Sequence, residues 1–135
     1  MALPFLDTNV ILRHLLQDHP DHSRRASELF SRIERGELRL RIADTVVFEA
    51  VFILSRLYQR SKRDIGDSLL PVVEMPGIVL PGKHRLREVF DLYADLDLSI
   101  VDAYHAVVMK HLRLREVLSF DRGLDRVRGI ERIEP

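Results

Sequence analysis

The sequence predicts an α/β fold, a three-layer α/β/α arrangement with a parallel central sheet flanked by helices. Three observations carry this. Short apolar runs (Ala2 to Leu6, Ile78 to Leu80, Val117 to Phe120) alternate with segments of helical periodicity. Leu38, Leu40 and Ile42 alternate with Arg39 and Arg41, a strand signature of period two. Strands separated by helices imply right-handed crossovers, hence parallel pairing with both faces covered.

Ala2 to Leu6 reads as a buried strand, and Val10, Ile11, Leu15 and Leu16 then fall at helical spacing. A loop from Asp18 to Asp21 opens a helix that carries Ala26, Leu29, Phe30 and Ile33 and stops at Gly36. After the Leu38–Ile42 strand, Asp44 or Thr45 is placed to cap a long helix to about Arg60. Ser61 and Asp64 have capping-box spacing for a helix that ends near Met75 and Gly77. Leu86, Val89, Phe90 and Tyr93 mark another helix, and Ser99 to His111 a further one. Val117 to Phe120 reads as a buried strand, and Ile130 to Ile133 as a last extended piece.

The 135 residues fit a single domain, 1–135, with no repeat or linker to divide it. Apolar residues are 46%, enough for a core. The 21 basic and 21 acidic residues cancel, which argues against a generic DNA-coating protein but not against a nucleic-acid enzyme, since local charge matters more. Basic residues crowd between Arg24 and Arg41 and again between Arg56 and Arg63. Without cysteine there is no disulfide or thiolate chemistry. The first residues lack the basic start of a signal peptide, and no apolar run approaches a membrane span of about 20 residues, so a cytoplasmic protein is expected.

Ligands of parallel α/β sheets bind beyond the carboxyl ends of the strands. Asp7 and Asp121 each end an apolar run and enter helical sequence. Each also suits a plain helix N-cap, and taken singly neither reading outranks the other. Glu49 sits in a helix that reads as apolar nearly all round, where a carboxylate loses hydration unless paired or metal-bound; the alternatives are an arginine partner or one exposed stripe. Asp102 has capping spacing from Ser99, and alone it says little. Together the four suit a hard divalent cation, which wants oxygen ligands and would relieve their mutual repulsion. Cations so held promote phosphodiester hydrolysis, with one or two ions at the site. The six histidines form no convincing zinc motif.

Four blocks resemble the PIN-domain ribonucleases, in particular the VapC-type toxins of VapBC toxin–antitoxin pairs. They are Phe5 to Arg13, Val46 to Leu54, Ser99 to Ala106, and Leu118 to Asp125 followed by Gly129 and Ile130. The resemblance covers essentially the whole chain. It implies a metal-dependent endoribonuclease with Asp7, Glu49 and Asp102 as main ligands of Mg²⁺ or Mn²⁺ and Asp121 as a further ligand, direct or through water. Thr8, Asn9 and Ser119 would support the site, and Arg13, Arg24 and Arg25 are nominated for RNA. It further implies a cognate antitoxin and a homodimer. Two positions depart from the pattern: Ile100 replaces an aromatic residue, and Gly123 stands where many relatives have an acid. Asp125 could compensate, although helix geometry points it to solvent. Competing readings are a catalytically silent PIN-like RNA- or protein-binding module, supported only by Gly123; an aspartyl phosphatase, which needs a second Asp where Asn9 stands; and a receiver-like domain, which needs paired acids where only Asp7 occurs.

Overall fold

A computed structural model describes residues 2–135. The chain divides into two compact units, one ending at Lys83 and one starting at His84.

In the first unit α1 (Thr8–Leu16) and α2 (His22–Glu34) precede β1 (Leu40–Arg41), then come α3 (Asp44–Arg56), α4 (Lys62–Val73) and β2 (Ile78–Val79). β1 and β2 pair in parallel, Leu40 opposite Ile78. On the other side of β1, the first apolar run joins through a parallel bridge between Phe5 and Arg41. The bonds are Leu6 N–H to Arg41 O and Arg41 N–H to Pro4 O, each 2.8 Å. The crossover from this edge to β1 is α1 and α2, and from β1 to β2 it is α3 and α4, as parallel pairing requires. Ile11, Phe30, Ile33, Val47, Ile65 and Leu69 are all at most 2% exposed and form the core. Each such side chain contributes roughly 1.5–3 kcal/mol through burial. Gly77 is required by a close approach: a Cβ there would lie 2.7 Å from Ile33 Cγ2 and 2.8 Å from Leu38 O.

In the second unit α5 (Leu86–Asp95) and α6 (Ile100–His111) lead to β3 (Glu116–Leu118) and β4 (Glu131–Ile133). These strands are again parallel, Val117 opposite Arg132, and a 3₁₀ turn, Gly123–Arg126, lies between them. Val89, Phe90, Ile100, Ala103 and Val107 form this unit's core. Among the described residues no helix is long and apolar enough to cross a membrane.

Most expected elements are present, with five corrections. The first apolar run is not buried as a whole: residues 2–5 are exposed, and Leu6 alone reaches the core. α3 ends at Arg56, and its N-cap is Ala43 rather than Asp44 or Thr45, which already lie in the first turn. α3 is not apolar all round: Thr45, Glu49, Phe52 and Arg56 form an exposed stripe at successive turns. Glu49 is therefore hydrated, and the stripe reading holds over the burial reading. The Val117–Phe120 segment is not buried either, since Leu118 and Phe120 are 68% and 74% exposed.

Helices α1 and α2 meet through His14. Its Nδ1 is 2.9 Å from Ser27 Oγ, and its ring stacks on Phe30 at 4.6 Å. Burial pushes the imidazole pKa down. The folded state therefore disfavours the proton that the unfolded chain accepts near pH 6.5. Stability from the neutral ring is present above that pH and is lost as pH falls through the lower folded value. Melting temperature measured between pH 7.5 and 5.5 should fall more steeply for the native chain than for His14→Gln.

Lys83 Nζ donates to the carbonyls of Val73, Met75 and Ile78 at 3.0, 2.8 and 2.7 Å, tying the end of α4 to β2. Lys83→Met removes this donor from all three carbonyls, leaving Met75 O with the Ile78 N–H alone. Urea unfolding should show a loss of about 2 kcal/mol, the scale for hydrogen bonds to a charged group.

Candidate active site

The first unit carries Asp7 and Glu49. The parallel edge ends at Leu6, and the chain turns at once into α1 with Asp7 as its N-cap: Asp7 Oδ1 accepts the Thr8 N–H at 2.9 Å. Thr8 is 2% exposed, whereas Asn9 is exposed on α1. Asn9 lines a groove of about 530 Å³ together with Arg13 and Arg25. Arg24 turns elsewhere, lining a different depression with Gln17 and Ser31. All three arginines are already paired: Arg13 with Asp18 at 3.2 Å, Arg24 with Asp21 and Glu28, Arg25 with Asp21. Asp18 also accepts from Tyr58 at 3.0 Å, and these bonds hold its carboxyl below its ordinary pKa although burial pushes the other way.

The second unit carries Asp102 and Asp121. Ser99 caps α6, its Oγ accepting the Asp102 N–H at 3.0 Å. This backbone bond leaves the Asp102 carboxylate uncommitted in the first turn. Asp121 follows β3 in a turn built by Ser119, whose Oγ accepts the Asp121 N–H at 3.0 Å. Ser119 thus orients Asp121 through the backbone. The Asp121 Oδ1 accepts the Gly123 N–H at 3.0 Å.

Gly123 is where these two acids meet. A Cβ placed there would lie 2.5 Å from Asp102 Oδ2 and 3.7 Å from Asp121 Oδ1. The missing side chain leaves room for the Asp102 carboxylate, so both acids address one small volume. None of Asp7, Glu49, Asp102 and Asp121 has a basic partner among the described residues. Uncompensated carboxylate oxygens are the donor set that a hard cation such as Mg²⁺ or Mn²⁺ takes, so the residues fit such an ion chemically. Among the described residues no group of three or more potential ligands is gathered closely enough to hold one.

Two features escape the sequence reading. Arg132 anchors the turn beneath Asp121, donating to Ser119 O at 3.1 Å, Asp125 Oδ1 at 3.0 Å and Glu134 Oε1 at 2.8 Å. Asp125 is exposed, as helix geometry suggests, and it also pairs with Arg132. Nothing in the spacing signals this, because Ile130 and Ile133 leave the inward face of β4 ambiguous. The sequence shows Gly123 only as an absent acid, while the structure gives it a steric role.

Comparison with known proteins gives the family. The PIN domain family model matches residues 5–130, and the chain belongs to the PIN domain family. The chain is also similar to a VapC ribonuclease of Aquifex aeolicus (strain VF5), 23% identical over 133 residues, covering 98% of this chain and 97% of that protein.

Gly123→Ala keeps the backbone accessible but puts a methyl group against Asp102. Mn²⁺ affinity, followed by calorimetry or electron paramagnetic resonance, should fall about tenfold, the range seen when groups that orient a ligand are disturbed. The far-ultraviolet circular dichroism should not change.

Proposed function

We propose that residues 1–135 act as one PIN-type nuclease domain, a metal-dependent endoribonuclease and the toxin of a type II toxin–antitoxin pair. The observation that carries this is the pair of uncompensated carboxylates, Asp102 and Asp121, on either side of Gly123. The family match, which runs through the Asp7 and Glu49 blocks as well, supports adding those acids. The similarity to a ribonuclease of Aquifex aeolicus supports RNA as substrate.

In this reading Asp7, Glu49, Asp102 and Asp121 hold one or two Mg²⁺ or Mn²⁺ ions. When bound, a cation of this kind supplies Lewis acidity and makes water a competent nucleophile near neutral pH. The protein's own part is positional. The Asp7 side chain is fixed by the Thr8 amide, and Asp121 by the Ser119 turn and the Gly123 amide. Asn9 stands beside Asp7, and Arg13 and Arg25 line the adjoining groove, where exchange of their exposed acidic partners for phosphates would hold an RNA backbone. Arg24 lines a separate depression and would add only to the longer-range field. A cognate antitoxin, homodimerisation and a cytoplasmic location complete the proposal.

The test is to map new RNA ends after incubating total RNA with the purified protein and Mg²⁺ or Mn²⁺. Discrete cleavage should appear, vanish with chelator, and drop on the order of a hundredfold or more in Asp7→Asn, since a lost ligand removes the cation's stabilisation of charge. Folded, antitoxin-free, metal-loaded protein that cuts nothing would sink the nuclease and favour a silent binding module.

A further inference from the structure

The second unit has a cleft of about 700 Å³ between α5 and the end of α6, closed by residues 126–130. Its floor is apolar: Leu92 on α5 and Leu96 at that helix's C-cap, one turn on, with Leu114, Val127 and Ile130. Its rim is cationic, with Lys110, Arg113, Arg115, Arg126 and Arg128 against the single acid Glu88. Glu88 is already taken by Lys110 at 2.6 Å. Arg126 donates to the carbonyl of Asp97 at 2.8 Å. Arg113, Arg115 and Arg128 have no ion-pair partner among the described residues. Arg113 also occupies a left-handed conformation, φ 58°, in the Leu114 N–H to Met109 O turn that closes α6. Glycine is the residue that this helix-end position ordinarily favours, so a long cation is kept there at a backbone cost.

We infer that this cleft docks an acidic peptide segment of a partner protein, apolar side chains on the leucine floor and carboxylates on the arginine rim. The charge of the rim selects an anionic occupant. The floor decides between anions. A nucleic-acid strand gains from aromatic platforms for its bases, and no aromatic side chain lines this cleft. Aliphatic side chains flanked by carboxylates use both parts, as in a helix or strand laid into a groove. Ala106 and Lys110 border the cleft, one and two turns beyond Asp102 on α6. The surface is thus separate from the acids and independent of the nuclease reading.

The test uses a displayed library of random dodecapeptides, selected on the full-length protein and on Arg113→Glu/Arg128→Glu. Both substituted side chains are exposed, and matching thermal melts verify folding. Selected peptides should combine Asp or Glu with Leu, Ile or Val. One synthesised ligand should bind the native protein at least tenfold more tightly than the double variant, by fluorescence anisotropy. It should also lose affinity in Leu92→Asn. Three results overturn the proposal: no enrichment, or peptides without acidic bias; displacement of the ligand by a 2′-O-methyl oligouridine at equal concentration, which assigns the cleft to nucleic acid; and concentration-dependent self-association abolished by the charge reversal, which assigns it to a second copy of this chain.

Discussion

The ladder that joins residues 4–6 to β1 runs parallel, and that geometry governs both the connections of the first unit and the acid placed at their start. Parallel neighbours cannot be linked by a tight turn, so the chain leaving Leu6 must enter a crossover, here α1 and α2. A residue at that junction has to satisfy the exposed N–H groups of a new helix. Asp7 does so with one carboxylate oxygen, taking the Thr8 amide on Oδ1. Asp121, three residues past β3, caps no helix: the following 3₁₀ turn has Arg122 as its N-cap, and the Asp121 Oδ1 instead takes the Gly123 amide. A backbone bond fixes one oxygen of each acid and leaves the other without such a bond. Asp102 reaches a related state by a different route, because Ser99 rather than its own carboxylate satisfies its amide.

Charge shows why a zero sum says little about the surface. Four of the six arginines between Arg24 and Arg41 pair with acids two to five residues away, as in Arg24 with Asp21 and Glu28. Such exposed pairs are worth little, on the order of 0–1 kcal/mol, so a polyanion could replace the acids at small cost. In the second unit Arg113, Arg115 and Arg128 have Glu116 or Glu131 close in sequence but form no ion pair among the described residues. A linear count finds the first cluster because it is dense, and overlooks the second because it is spread over a helix end, a strand approach and a loop.

What the sequence made legible was whatever depends on short spacing. Ser61 and Ser99 each cap a helix by accepting the amide three residues on, as their spacing indicates. The α/β alternation and the placement of Asp7 and Asp121 after extended segments were legible for the same reason. The features it hid depend on which surfaces become covered. The apolar content of α3 masked its phase: Thr45, Glu49, Phe52 and Arg56 recur at turn spacing, so one stripe stays in water while Val47, Ala50 and Leu54 are buried. The exposure of Leu118 and Phe120 could not be read from a strand of three residues, too short to show a period.

Precision at the second pair of acids comes from steric exclusion as much as from attraction. The inner face of α6 is set by Ile100, Ala103 and Val107, each at most 2% exposed, which fixes the rotation of the helix and so the direction of Asp102. The turn after β3 is fixed independently by Ser119 and Arg132. Two supports that bring like charges together would ordinarily cost free energy, and a Cβ at residue 123 would crowd the Asp102 carboxylate while meeting Asp121 only at ordinary contact. Glycine removes the obstruction without removing the repulsion. The fold thus holds two carboxylates whose charge, among the described residues, is unrelieved by any basic side chain.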